Sequence, residues 1–501
     1  MKKSGQLWIV VLLTLVLLAL PLPGVRYPAA EAAAGADPLE RLRGDFDRIF
    51  SNAKFAGAHW GIQVYSLDRS ESLYERNPSL LFVPASNTKI ITSVVTLLRL
   101  GPDYVFHTLL MTDGAVADGV LKGNLYVIGF GDPSITVETP DEDPLETFRQ
   151  WSSILKAKGI RKISGDIVGD GSSFERTTLG QGWAWDDLSE GYAAPVTALQ
   201  FNGNRLWLEI TPGRKIGESP TIRIKPLPTY WIVENQLTTT TRDAEAKIEI
   251  ERRQTDESIV VRGNVPVNGV QKTRAVAVYD PTRYYLSALK HALADENIDV
   301  LACGIRETGG TDPESLSLLW TSISPPLSEI LKPLLKESLN LYAETLTRAL
   351  GLELNGSGSF SAGREIVEET LSRMAIDKNQ YSYADGSGLS RQNLVSVKML
   401  VRILRSIYRH RYFADFYDAL AIAGMDGTLE NRLKGSKAEN NVRAKTGSLS
   451  NVSSISGYVK TMDGEMLAFS MIANNFLLPK SEADAAQDEV LKKLAGFSRK
   501  Q

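Results

Sequence analysis

Strand patterns stand at both ends of this chain, and such strands can share one sheet only if everything between them is carried as helices or as an insertion. Between Trp60 and Asn77 the text alternates around Asp68-Arg69-Ser70, a hairpin signal. Three more strand patterns follow near the C-terminus, Val442 to Leu449, Ser454 to Thr461 and Met466 to Ala473, with a tight turn at Met462-Asp463-Gly464. Helical spacing appears at Ile90, Ile91, Val94, Val95, Leu97 and Leu98, stopped by Gly101. It returns at Leu327 to Leu335, at Leu341 to Leu350 (ended by Gly351), around Val395 to Ile407 and at Glu482 to Ala495. Residues 104–309 follow a different pattern, with short β-rich runs such as Leu125 to Ile128, Ile222 to Ile224 and Ile248 to Ile250, separated by Gly, Pro and Asp turns. The expectation is an α+β domain built from residues 38–103 and 310–497 around one five-stranded sheet flanked by helices. Residues 104–309 interrupt it as one or two inserted β-rich domains.

Of the 501 residues, 43% are hydrophobic and 23% charged, a balance that fits soluble globular domains and excludes collagen-like or wholly disordered classes. A net charge of -3 with a pI near 6.0 speaks against nucleic acid as a partner. The single cysteine, Cys303, forbids an intrachain disulfide. His59, His107, His291 and His410 stand far apart in sequence, so neither a His-based triad nor a metal site is expected. Lys2 and Lys3 precede an apolar run from Leu7 to Leu20, then Pro21 to Pro23 and a small-residue stretch from Ala29 to Ala36. The run is shorter than the roughly 20 residues a spanning helix needs. Residues 1–34 therefore read as a cleaved export signal, with a retained anchor as the alternative. The protein is expected to work outside the cytoplasm, where nucleotide cofactors are not at hand, and no cofactor is expected.

Three short motifs could carry chemistry. Ser86-Asn87-Thr88-Lys89 opens a helix, and residues at i and i+3 share a face, so a hydroxyl and an amine are neighbours at a helix N-terminus. The spacing alone is weak, since Ser51/Lys54, Ser153/Lys156 and Ser287/Lys290 repeat it. Ser338-Leu339-Asn340 falls between two helical patterns, where an ordinary helix cap would also suit. Lys445-Thr446-Gly447 lies on a strand, where Gly admits close approach of another backbone and where an edge-strand lysine is the plainer reading.

Taken together, S-x-x-K, S-x-N and K-T-G run in the order found in serine β-lactamases and penicillin-binding proteins. The sequence resembles that family, and more narrowly the low-molecular-mass class C penicillin-binding proteins, D-alanyl-D-alanine carboxypeptidases with endopeptidase activity. The narrower likeness rests on the large insertion and on GNLYVIGFGDPS (123–134), GDIVGDGSSF (165–174), GWAWDDL (182–188), YAAPVTALQFNGN (192–204) and DGSGLSR (385–391). Leu339 stands where the family form has Asp, at a position that carries no reacting group. The resemblance implies an antiparallel transpeptidase-like sheet, no cofactor, peptidoglycan stem peptides as substrate and β-lactams as inhibitors. It also implies an exported protein at the cell wall or membrane periphery.

A serine hydroxyl needs a base beside it to attack an amide, and Lys89 is the candidate one turn from Ser86. An unperturbed lysine, pKa near 10.4, is neutral in only about one molecule in 2,500 at pH 7. The site must depress it by burial or by a second cation, for which Lys445 is available. By resemblance, Ser338 relays the proton, Asn340 hydrogen-bonds the substrate amide, and Lys445 with Thr446 holds the terminal carboxylate. By the same resemblance, the backbone N–H groups of Ser86 and Ser448 would form the oxyanion hole, next to the substrate-binding Gly447. Asp132, Trp183, Trp185, Asp186 and Asp187 could grip the polar stem of a peptidoglycan peptide, but they read more plainly as solvated loop acids and core tryptophans and receive no assigned role. Two other functions share these residues: a serine β-lactamase or esterase, and an inactive cell-wall binding protein.

Overall fold

The computed structural model describes residues 37–137, 139, 141–226, 231–253, 258–302 and 304–500. The export signal expected over residues 1–34 and Cys303 lie outside them.

The chain starts with α1 (Pro38–Phe50), whose N-cap Asp37 accepts from Leu39 N–H and whose Leu42, Phe46 and Phe50 are buried. The hairpin follows as β1 (His59–Ser66) and β2 (Glu71–Arg76), and then α2 (Thr88–Leu100), capped at Gly101. The central sheet is completed far along the chain by β3 (Ala421–Ile422), β4 (Arg443–Leu449), β5 (Val452–Lys460) and β6 (Met466–Asn474). All its pairs are antiparallel, in the order β2-β1-β6-β5-β4-β3. The five expected strands are present, and the two-residue β3 adds a sixth at the edge. The early hairpin joins the late strands through β1 and β6, from His59 opposite Asn474 to Ser66 opposite Leu467.

Both faces of this sheet are covered. On β6, Met466, Ala468 and Ile472 face a core shared with α2 and α8 (Val397–Tyr408). Leu467, Phe469, Met471 and Ala473 face a second core shared with α1 and the last helix, Lys480–Ala495. The period of two thus sends alternate residues into different cores, and a one-residue slip would exchange them.

The inserted region has its own core. Its main sheet runs in the order 305–308, 167–170, 125–129, 107–112, 317–323. The first three of these strands are parallel, and the last, Ser317–Ile323, carries the inserted sheet beyond residue 309. Two helices concealed among the β-rich runs, α3 (Glu146–Ala157) and α4 (Pro281–Asp295), pack Phe148, Trp151, Tyr284 and Tyr285 into that core.

After the insertion come α5 (Leu327–Lys336), α6 (Asn340–Asn355) and α7 (Phe360–Arg373). Helix α6 passes through Gly351, the expected stop, and ends at Gly356, which has a φ of 68°. Gly351 is there for close packing: a methyl group on it would lie 2.6 Å from Ser357 O and 2.7 Å from Gly363 N at the start of α7.

Candidate active site

Ser86 lies on the 3-10 turn Ala85–Asn87 that feeds α2, one turn before Lys89. The turn is strained: Ala85 has a φ of 49°, sparsely populated for a residue with a side chain. Its surroundings hold it. Asn87 Nδ2 donates to Ser454 Oγ at 2.6 Å and to Lys445 O at 3.2 Å, and Ser454 Oγ donates to Pro84 O at 2.6 Å. From the other side, the backbone of Gly388 comes so near that a methyl group there would lie 1.9 Å from Ala85 O.

Lys89 is fully buried. Its Nζ contacts Ser86 Oγ at 3.0 Å, Asn340 Oδ1 at 2.6 Å and Ser387 O at 2.7 Å. A neutral amine has two hydrogens and one lone pair. Two of these partners are carbonyl oxygens that can only accept, so the lone pair is left for the Ser86 hydroxyl. Burial pushes the lysine down to about 7, against the pull of Asp385 and Glu344. Of the two ways the sequence left open to depress it, burial dominates. Lys445 is itself pushed well below the usual lysine range, first by burial and then by Lys89.

Ser338 sits in the left-handed region at φ 64°, in the link between α5 and α6. Asn340 is the first residue of α6. Its Oδ1 accepts from Lys89, one hydrogen of Nδ2 goes to Tyr192 O at 2.8 Å, and the other remains for a ligand. Lys445, on β4, is buried behind this group and donates to Thr446 O at 2.9 Å. Thr446 Oγ1 donates to Thr428 Oγ1 at 2.7 Å. A methyl group on Gly447 would lie 2.9 Å from Ser86 N, so the strand and the serine turn are in direct contact. Ser86, Ser338, Asn340 and Ser448 line one cleft of about 650 Å³, with Asp186, Asp187, Tyr192 and Arg391 on its walls.

Several residues to which the sequence alone gave no role stand in surroundings other than those expected. Trp183 is no core residue: half-buried, it donates from Nε1 to Asp385 Oδ2 at 2.9 Å. Trp185 is 85% exposed, and Asp132 is buried rather than solvated, accepting from Ser134 N and Oγ. Asp385, fully buried, also accepts from the N–H groups of Gly388 and Ser390 at 2.6 Å each and from Asn393 Nδ2 at 2.7 Å. It thereby folds the DGSGLSR segment into the turn that bears Ser387. Glu344, one turn along α6 from Asn340, is fully buried behind Lys89. Only its spacing of four from Asn340 could have drawn attention to it.

A two-faced antiparallel sheet, with the S-x-x-K helix, the S-x-N link and the K-T-G strand meeting at one cleft, defines the penicillin-binding-protein fold. The chain belongs to the D-Ala-D-Ala carboxypeptidase 3 (S13) family, whose model matches residues 42–500. It is 31% identical to the D-alanyl-D-alanine carboxypeptidase of Actinomadura sp. (strain R39), over 99% of this chain and 92% of the relative. It is 27% identical to the D-alanyl-D-alanine carboxypeptidase DacB of Haemophilus influenzae, over 84% of this chain and 86% of the relative. The crystal structure of penicillin binding protein 4 (dacB) from Haemophilus influenzae superposes with a TM-score of 0.79 at 26% identity, covering 91% of this chain and 99% of that one. The same protein complexed with a β-lactam gives 0.74. The chain is accordingly an enzyme, of the serine-type D-Ala-D-Ala carboxypeptidase class. Among the described residues no helix is long and apolar enough to cross a membrane.

Proposed function

We propose that this enzyme cleaves the terminal D-Ala from peptidoglycan stem peptides, or the D-Ala crosslink between stems, through an acyl-enzyme on Ser86, and that β-lactams block it at the same serine. The reading includes export to the cell-wall side of the membrane. One observation carries the mechanism: the hydrogens of Lys89 Nζ are taken by two carbonyl oxygens, so its lone pair faces Ser86 Oγ at 3.0 Å.

On this reading Ser86 Oγ forms a bond to the carbonyl carbon of the penultimate D-Ala while its proton passes to Lys89 Nζ. The oxyanion is stabilised by the N–H groups of Ser86 and Ser448, each contributing about 3–4 kcal/mol where comparable donors have been removed. The carbon–nitrogen bond then breaks, and Ser338 relays the proton from the lysine to the leaving amine, which departs as D-Ala. Asn340 offers its free N–H to the substrate amide, and Lys445 with Thr446 holds the terminal carboxylate. Water repeats the sequence on the acyl-serine, and Ser86 recovers its proton.

The test is intact-mass analysis of the protein after incubation with benzylpenicillin, with peptide mapping and a Ser86→Ala control. A stable adduct of one penicillin on Ser86, absent from the variant, is expected. Unmodified protein beside hydrolysed drug would mean a β-lactamase, and neither adduct nor hydrolysis would mean a binding protein.

A further inference from the structure

Glu344 Oε1 accepts the Ser387 N–H at 2.9 Å, and the carbonyl of the same residue accepts from Lys89 Nζ at 2.7 Å. One residue thus joins the carboxyl to the amine. Glu344, Ser387 and Lys89 are all fully buried. An acid in such a place is costly to keep, and an amide or apolar side chain would fill the space without the charge. Among the described residues Glu344 Oε2 has no hydrogen-bond partner, and it lies 3.6 Å from Arg348 Nη1. Such a group calls for an explanation. Asp385 does not need one of this kind, because its four hydrogen bonds account for it as the organiser of the turn.

We propose that Glu344 is a positioning residue for Lys89: through Ser387 its carboxyl fixes the carbonyl that takes one hydrogen of the amine, and its charge acts on that amine across the same residue. The inference rests on the reading of Lys89 as the base for Ser86.

Charged and titratable groups surround the pair from several elements. Asp385 and Tyr383 face Glu344 from the segment that ends in the turn, and Arg348 faces it from α6. Lys445 lies beside Lys89 on β4, with Glu337 acting on it in turn. Beyond Arg348 stand Glu175, at 3.6 Å, and Thr177 O, at 3.1 Å, both from the inserted region. Burial, then Asp385, pushes Glu344 up to about 7, against Arg348 and the Ser387 N–H. It therefore titrates in the same range as Lys89, and the acid limb of acylation belongs to the pair.

Loss of the Glu344 charge disfavours the ammonium form of Lys89, so the amine stays neutral to lower pH. Glu344→Gln keeps an oxygen for the Ser387 N–H and removes the charge. Its acylation by benzylpenicillin, followed from pH 5 to 9, should have an acid midpoint about one unit below the parent's, with a limb closer to a single ionisation. The variant's gain relative to its own plateau is largest around the parent's midpoint and fades well below it, where the parent's Glu344 is itself protonated and uncharged. Glu344→Asp keeps the charge but is one methylene too short for the Ser387 N–H, so its plateau should fall about tenfold while its midpoint stays near the parent's. A Gln variant with the parent's midpoint overturns the proposal. If that variant does not fold, an Asp variant with the parent's plateau overturns it instead. The Ser86→Ala control separates the two readings: an adduct that survives there sinks the acyl-serine mechanism, whereas a lost adduct with unmoved Glu344 profiles sinks only the role of Glu344.

Discussion

Lys89 and Lys445 are two buried amines in one site, and each predicts a different pH dependence. As the proposed base, Lys89 has to be neutral to accept the Ser86 proton, and burial brings it down to about 7. Acylation by a neutral ester should therefore rise as pH rises through about 7 and then level off. A rate independent of pH between 5 and 9 in stopped-flow acylation would rule out Lys89 as the base. In its proposed role Lys445 has the opposite requirement, since it must carry a proton to hold a carboxylate. Burial and Lys89 push it well below the usual lysine range, so binding of a free terminal carboxylate should weaken as pH rises, while a neutral ester is indifferent to the same change. Lys445→Ala removes a charge-assisted contact of a kind worth about 1.5–3 kcal/mol. The expected result is on the order of a 10- to 100-fold loss in kcat/KM for a peptide with a free carboxylate and a much smaller loss for its ester. Equal losses on both substrates would refute the assignment.

Two elements meet at Ser86 without a side chain between them. A methyl group on Gly447 of β4 would lie 2.3 Å from Ser454 Oγ, 2.8 Å from Pro84 O and 2.9 Å from Ser86 N. Ser454 and Pro84 are the atoms that pin the serine turn, so neither can yield without moving it. Gly447→Ala should cost about 1–3 kcal/mol through overpacking and, because a displacement of about 1 Å can cost about 100-fold in rate, should slow acylation far more than it lowers Tm. Acylation within twofold of the parent would show that the contact is not tight. The K-T-G glycine was legible in the sequence as a point of close approach, and so were the hairpin, α2 and the late strands. Their signals are local: turn residues, spacing, and apolar runs unbroken because both sheet faces are covered. Gly351 misled because a helix stop and a helix contact carry the same letter. Glu344 and the Trp183–Asp385 bond were not legible, since their partners lie 43 and 202 residues away and only the folded chain brings them together.

At the scale of the whole molecule, the inserted region behaves as part of the site and not as a separate attachment. Trp183 Nε1 reaches Asp385, Tyr192 O receives Asn340 Nδ2, Gln200 Nε2 donates to Thr345 Oγ1 at 2.8 Å, and Arg348 Nη2 donates to Thr177 O at 3.1 Å. All four bonds land on α6 or on the 385–390 turn, the two segments that hold the carbonyl oxygens around Lys89. Apolar contact accompanies them, with Phe174, Val196 and Ala198 packed on Leu341. Stabilising the insertion against the rest of the chain is therefore expected also to orient the lysine. Trp183→Phe tests this linkage, because it keeps an aromatic ring and removes only the donor. Asp385 is fully buried, so its Oδ2 would keep only the Ser390 N–H, a loss of about 1.5–3 kcal/mol for a bond to a charged acceptor. The turn bearing Ser387 should loosen and acylation should slow by about tenfold, while the core of the inserted region, which Trp183 does not enter, should unfold at its original temperature. Unchanged acylation with a lowered transition would make the bond purely structural. Slower acylation with an unchanged inserted core would tie the insertion to the chemistry.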